Sequence, residues 1–145
     1  MSDNDTRHST EQFGNEFAHR LDELVGDVSS EELAAIGALP PGSALFIVRR
    51  GPNMGARFLL DTDVVVAGRH PDAEIFLDDV TVSRRHAEIT RQGKNFSIRD
   101  LTSLNGTYVQ GGRVDSAPLT DGCEVQIGKY RMTFYSSRHD VGTGA

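Results

Sequence analysis

The sequence has a single cysteine, no apolar run of membrane-spanning length and no surplus of basic residues. Each lack excludes something. One thiol, Cys123, can form neither an internal disulfide nor a cysteine-based metal site, and it suits a reducing compartment. It reads as a packing residue or a passive thiol. No stretch approaches the ~18 apolar residues of a membrane span. The start, Met1-Ser2-Asp3-Asn4-Asp5, has neither the basic nor the apolar region of a signal peptide. A cytoplasmic protein without membrane contact is expected. The net charge of −6 argues against a nucleic-acid partner, because binding to nucleic-acid phosphates demands a basic footprint. His19, His70 and His139 stand without ligand-like company, so neither a metal nor another cofactor is expected. There is no useful internal repeat.

What is present is ordinary globular material: 145 residues, 37% apolar and 25% charged, enough for one domain with a core plus an appendage. The charge is unevenly placed. Residues 1–40 hold nine acids and two bases, whereas the remainder holds twelve acids and thirteen bases. The acidity therefore lives in the N-terminal segment, and a local arginine cluster elsewhere could still hold one phosphate.

From residue 42 onward the pattern is β. Short apolar or alternating runs occur at Ala44–Val48, Arg57–Leu60, Val64–Ala67, Ile75–Leu77, His86–Thr90, Asn95–Arg99, Thr107–Val109, Glu124–Ile127 and Arg131–Tyr135. Turn signals such as Gly51-Pro52-Asn53, Asn105-Gly106 and Gly111-Gly112 separate them. Many short strands without an intervening helical pattern predict an all-β sandwich or barrel over residues 42–136, followed by a disordered tail over 137–145. Before it, Phe13, Phe17, Leu21, Leu24, Val25 and Val28 form one stripe of an amphipathic helix over about residues 13–28. Ser29 and Glu32 form a capping-box pattern that starts a second short helix through Ala35. Pro40-Pro41-Gly42 breaks any helix and marks the boundary of an acidic N-terminal segment, residues 1–41.

Chemistry concentrates in three turns: Gly68-Arg69, Ser83-Arg84-Arg85-His86, and Thr102–Thr107. They offer guanidinium groups, hydroxyls and a carboxamide, with scarcely a carboxylate in the motifs themselves. Such donors suit a phosphate dianion better than they suit a base or nucleophile. Arg69 alone would read as a solvated loop residue; its company changes that. Ser83 and His86 invite a nucleophile–base reading. Three residues apart on a turn, however, they are expected to point in unrelated directions, and no acid is placed to orient the ring. Strand alternation suggests that only one of Arg84 and Arg85 faces a ligand, taken as Arg84.

Gly68-Arg69, Ser83-Arg84-Arg85-His86 and Asn105-Gly106-Thr107 resemble, in order and spacing, the three signature motifs of forkhead-associated (FHA) domains. The match covers about two-thirds of the chain. More narrowly, Gly68–Pro71, Ile75–Ala87, Ser103–Val109 and Val125–Lys129 resemble the actinobacterial glycogen accumulation regulator and oxoglutarate dehydrogenase inhibitor family. The resemblance implies an FHA-type sandwich of 10–11 mostly antiparallel strands that binds phosphothreonine and is not an enzyme. It implies that Arg69 contacts the phosphothreonine or the adjacent peptide, Ser83 a phosphate oxygen, and Arg84 the ligand through side chain or backbone. Ser103 and Leu104 lie on the third loop, Leu104 offering only its backbone N–H, and Asn105 holds the peptide backbone. Gly68, His86 and Gly106 are architectural, with His86 tying neighbouring loops together.

In that family a Ser/Thr protein kinase phosphorylates an N-terminal threonine, which then binds the protein's own FHA site. This blocks binding to 2-oxoglutarate dehydrogenase and glutamate dehydrogenase. The family's tandem-threonine acceptor is not intact here. Its nearest counterpart is Ser9-Thr10-Glu11-Gln12-Phe13, which makes Thr10 the candidate phosphoacceptor. About 30 residues of coil separate Thr10 from Ala44, an average reach of ~30 Å that spans a small domain. The alternative is a generic FHA adaptor that recruits phosphorylated partners and has no role in central metabolism. Nothing demands more than a monomer.

Overall fold

The computed structural model describes residues 28–141. The chain divides into two compact units, residues 1–34 and 35–145. The expected helix over 13–28 and the candidate acceptor Thr10 lie outside the described residues. In the first unit the capping box forms as its residues dictate. The Glu32 N–H donates to Ser29 Oγ at 3.1 Å and the Ser29 N–H to Glu32 Oε1 at 3.2 Å. The helix it starts, α1, runs Ser30–Gly37.

Eleven strands follow: β1 Ala44–Arg50, β2 Arg57–Leu60, β3 Val64–Gly68, β4 Ile75–Phe76, β5 Ala87–Gln92, β6 Asn95–Asp100, β7 Thr107–Val109, β8 Gly112–Val114, β9 Ser116–Leu119, β10 Glu124–Ile127 and β11 Tyr130–Ser136. They form two sheets, ordered β2-β1-β11-β10-β7-β8 and β4-β3-β5-β6-β9. All pairs are antiparallel except β3 with β4. The expected all-β sandwich of 10–11 strands is therefore the observed fold. Period-two alternation places Phe46, Met132, Phe134 and Val125 of one sheet against Ile89, Phe96 and Ile98 of the other, in one buried cluster. Phe134 meets Phe46 and Phe96 edge-to-face at 5.6 and 5.5 Å, bridging the two sheets. Each such pair adds about 0.5–1.5 kcal/mol beyond its buried area.

Two edges of the domain differ from expectation. Ile36 and Leu39 are buried ahead of residue 42, so the β unit reaches back to Ala35. At the other end, residues 137–141 are not a loose tail. Ser137 is fully buried; its N–H donates to Ser43 O at 3.1 Å and its Oγ to Leu39 O at 2.9 Å. Asp140 accepts the Gly42 N–H at 2.8 Å. These bonds satisfy the backbone that Pro40-Pro41-Gly42 frees where it turns, which is why the chain stays ordered there. Among the described residues, no helix is long and apolar enough to cross a membrane, and no cluster of His, Cys, Asp or Glu could hold a metal.

Candidate functional site

The three turns singled out by their chemistry meet at one end of the sandwich, bound to one another by hydrogen bonds. Close approach begins at Gly68, the last residue of β3. A Cβ there would lie 2.1 Å from the Arg84 carbonyl oxygen, so only glycine lets the β3 end lie against the β4–β5 loop. That contact allows the Arg69 N–H to donate to Ser83 O at 3.0 Å and the His70 N–H to Arg84 O at 3.3 Å. Arg69 is exposed, and its Nε donates to Val82 O at 3.1 Å. The guanidinium is thereby anchored at one nitrogen, with its two terminal nitrogens presented outward.

His86 is fully buried. Its Nδ1 accepts the Ser83 N–H at 3.0 Å, and its Nε2 lies 2.8 Å from Gly106 O. A carbonyl can only accept, so Nε2 carries the proton and the ring is the neutral Nε2–H tautomer. Ser83 and His86 are thus not unrelated in direction: backbone N–H meets ring. The ring contact is to the backbone of Ser83 and not to its hydroxyl, so these two residues form no nucleophile–base pair. Gly106 accepts this bond from a left-handed φ of 88° and donates its own N–H to Ser103 Oγ at 2.9 Å.

The hydroxyls divide into two kinds. Ser83 Oγ accepts the Leu104 N–H at 3.0 Å, and its own proton has no acceptor among the described residues. It is half-buried and free to donate to a ligand. Ser103 is different. Its hydroxyl proton goes to Asp100 Oδ1 at 2.5 Å while its oxygen accepts from Gly106 N–H, and the residue is buried. Ser103 therefore shapes the third loop and has no proton left for a phosphate. The Leu104 N–H is likewise engaged by Ser83, leaving its side chain 85% exposed. Asn105 is exposed; its Nδ2 donates to Thr81 O at 2.9 Å, which leaves Oδ1 to accept a peptide N–H.

Arg84 and Arg85 are both exposed. They precede β5, where strand alternation has not begun, and both line one groove together with His70, Asp72 and Glu74.

Sequence reasoning missed the acids and the threonine that organise these loops from their flanks. Asp100 accepts the Ser103 N–H at 3.0 Å, the Ser103 hydroxyl, and the Thr107 hydroxyl at 2.7 Å. Burial pushes its carboxyl up, but these hydrogen bonds outweigh burial and hold it below the usual carboxylate range. Asp79 accepts both the hydroxyl and the N–H of Thr81, at 2.5 and 2.9 Å; those bonds lower its carboxyl in the same way, with Lys129 adding a smaller electrostatic pull. Thr81 Oγ1 in turn accepts the Lys129 N–H at 2.9 Å. Thr81 thus ties the second loop to the third and to the β10–β11 turn. The available signal was the Asp79-x-Thr81 and Asp100-x-x-Ser103 spacing, the pattern of local side-chain-to-backbone turns.

The family model for the FHA domain matches residues 65–128, the span that carries all three turns. Glycogen accumulation regulator GarA of Mycobacterium tuberculosis is 52% identical over 133 residues, covering 92% of this chain and 82% of that protein. The chain belongs to this family of FHA-domain proteins. A second relative, the oxoglutarate dehydrogenase inhibitor of Corynebacterium jeikeium, is 57% identical over 108 residues, covering 74% of this chain and 75% of that protein. Among solved structures, an FHA domain studied for its phosphothreonine-dependent interactions is similar with a TM-score of 0.60 and 31% identity. It covers 64% of this chain and 95% of that one. The FHA assignment and the three-loop geometry coincide on the same residues.

Proposed function

We propose that this protein is a phosphothreonine reader that regulates central metabolism by binding rather than by turnover. The observation that carries the proposal is the placement of the Ser83 hydroxyl. Leu104 occupies its acceptor side, so its proton is left for a ligand, and the Arg69 guanidinium is anchored on the carbonyl of the neighbouring Val82. A phosphate oxygen seated there receives charge-assisted bonds from groups that need no reorganisation. Arg69, Ser83 and Arg84 bind the phosphate and Asn105 the peptide backbone, while Gly68, His86, Ser103, Leu104 and Gly106 hold the loops that present them. The relatives are named as a regulator and an inhibitor, and FHA domains bind phosphorylated motifs. On that footing the cytoplasmic partners are a Ser/Thr protein kinase, 2-oxoglutarate dehydrogenase and glutamate dehydrogenase. Phosphorylated Thr10 occupies the site in cis, favoured by the short tether.

Calorimetric titration with a peptide spanning residues 5–18 tests the reader. The Thr10-phosphorylated form binds and the unphosphorylated form does not. Arg69→Ala weakens binding at least about tenfold, since a hydrogen bond to a charged group contributes roughly 1.5–3 kcal/mol. Equal affinity for both forms of the peptide overturns the reading. The switch is tested by capture of 2-oxoglutarate dehydrogenase: the unphosphorylated chain retains the enzyme and the kinase-treated chain releases it. Capture only of phosphorylated partners instead identifies a general adaptor.

A further inference from the structure

A groove leaves the phosphate-binding loops and crosses the six-stranded sheet. It starts at Thr81 and Asn105 and is lined further on by Tyr108, Gln126, Lys129 and Arg131. The strand register makes it a straight lane. Tyr108 of β7 is directly opposite Gln126 of β10, and Gln126 is directly opposite Arg131 of β11. One strand further, Arg50 of β1 is the cross-strand partner of Arg131, beside an irregularity between Val48 and Arg50. Two arginines directly opposite each other repel. Arg50, Lys129 and Arg131 are all exposed, and none of them forms an ion pair among the described residues, although Lys129 exerts a weak pull on Asp79. The one carboxylate lining the groove is Glu124, two residues before Gln126 on β10. Three other arginines of this domain do pair with carboxylates: Arg91 with Asp63, Arg99 with Glu88 and Arg138 with Asp121. Arg131 and Arg50 therefore place unpaired positive charge along the lane, while Lys129 stands nearer the loops, its N–H on Thr81 Oγ1.

Resting on the phosphothreonine reading above, we propose that this lane is a second recognition surface that selects acidic residues in the flank of the bound phosphopeptide. The dimensions set where those residues fall. From Tyr108 to Arg50 is three inter-strand steps, about 14 Å, and an extended chain advances about 3.3 Å per residue. Starting from Asn105, carboxylates roughly four to seven residues from the phosphothreonine reach Arg131 and Arg50. The lane adds affinity and specificity to a phosphopeptide already seated; it does not replace the phosphate.

The test uses the full chain and labelled phosphothreonine peptides read by fluorescence anisotropy. One pair carries four glutamates or four glutamines at those positions after the phosphothreonine. A second pair carries them before it. In one of the two pairs the glutamate peptide binds the wild type about 3- to 10-fold more tightly than its glutamine twin, as expected for a few exposed ion pairs. High salt removes that difference by screening, and so does the double substitution Arg50→Gln with Arg131→Gln. The glutamine peptides bind wild type and variant alike. Equal binding of glutamate and glutamine peptides to the wild type in both pairs overturns the lane, as does a double variant that keeps the full preference. If no phosphopeptide binds the wild type while its fold is intact, the phosphothreonine reading falls and the lane with it.

Discussion

Replacing Gly68 by alanine is the sharpest single perturbation of the site, because the residue has an ordinary φ and the whole effect is steric. The new methyl would lie 2.1 Å from Arg84 O and 2.8 Å from its carbonyl carbon, where ordinary contact begins at 3.4 Å. Both neighbours are backbone and cannot rotate away, so β3 and the β4–β5 loop must separate by about 1.3 Å. The bonds from Arg69 N–H to Ser83 O and from His70 N–H to Arg84 O, now 3.0 and 3.3 Å, do not survive that displacement. Forcing in a carbon costs about 1–3 kcal/mol, and each lost hydrogen bond about 0.5–1.5 kcal/mol. The expected destabilisation is thus roughly 2–6 kcal/mol, a fall in Tm of roughly 10–30 °C for a domain of this size. Phosphopeptide affinity falls with it, because Arg69 and Ser83 lose their common register. The chain has no tryptophan, so urea melts are followed by far-UV circular dichroism. Gly37→Ala is the control: a Cβ there meets nothing within 4 Å, and alanine is the better helix former. A Gly68→Ala protein within about 1 kcal/mol of wild type would refute the close-approach argument.

Three further outcomes are expected. Ser83→Ala and Ser103→Ala separate the two kinds of hydroxyl. The first lowers phosphopeptide affinity about tenfold with little change in the urea midpoint, and the second destabilises the fold by about 1–3 kcal/mol because it strips a partner from Asp100 and from the Gly106 N–H. The reverse pattern would contradict the assignment. Asp100 governs the acid limb of stability. Its folded value lies below the unfolded value of about 3.9, so its contribution is present above that pH and is lost as pH falls through the folded value. Wild type should lose stability more steeply than Asp100→Asn below about pH 4, and parallel curves would count against it. The Tyr130 hydroxyl is buried without a hydrogen-bond partner among the described residues, and burial, followed by Asp79 and Asp78, pushes its phenol up. Tyr130→Phe is therefore expected to match or exceed wild-type stability, by up to about 1 kcal/mol in thermal melts, and a clear loss would point to an unseen partner.

Most strands were legible as short apolar or alternating runs between turn signals. Arg57–Leu60, Thr107–Val109 and Glu124–Ile127 begin and end where the pattern says, and most of the others shift by a residue or two. The strands that escaped, Gly112–Val114 and Ser116–Leu119, are both edge strands. Each buries little, and the second contains Pro118, so neither shows alternation or β propensity. In the site, residue types and spacing located all three loops, but not which hydroxyl keeps its proton. Ser83 and Ser103 look equivalent in the sequence. Only the placement of Asp100 and Leu104 leaves one hydroxyl proton free and makes the other a brace.

The edges of the two sheets have a consequence for how such a protein can be used. β2, β4, β8 and β9 have four residues or fewer, so little backbone is left unpaired along any rim. A second backbone finds almost nothing to zip onto, and uncontrolled growth by strand addition is blocked. A regulator that acts by occupancy must be stocked in amounts comparable to its target. Blunt rims let a cell keep that stock dissolved.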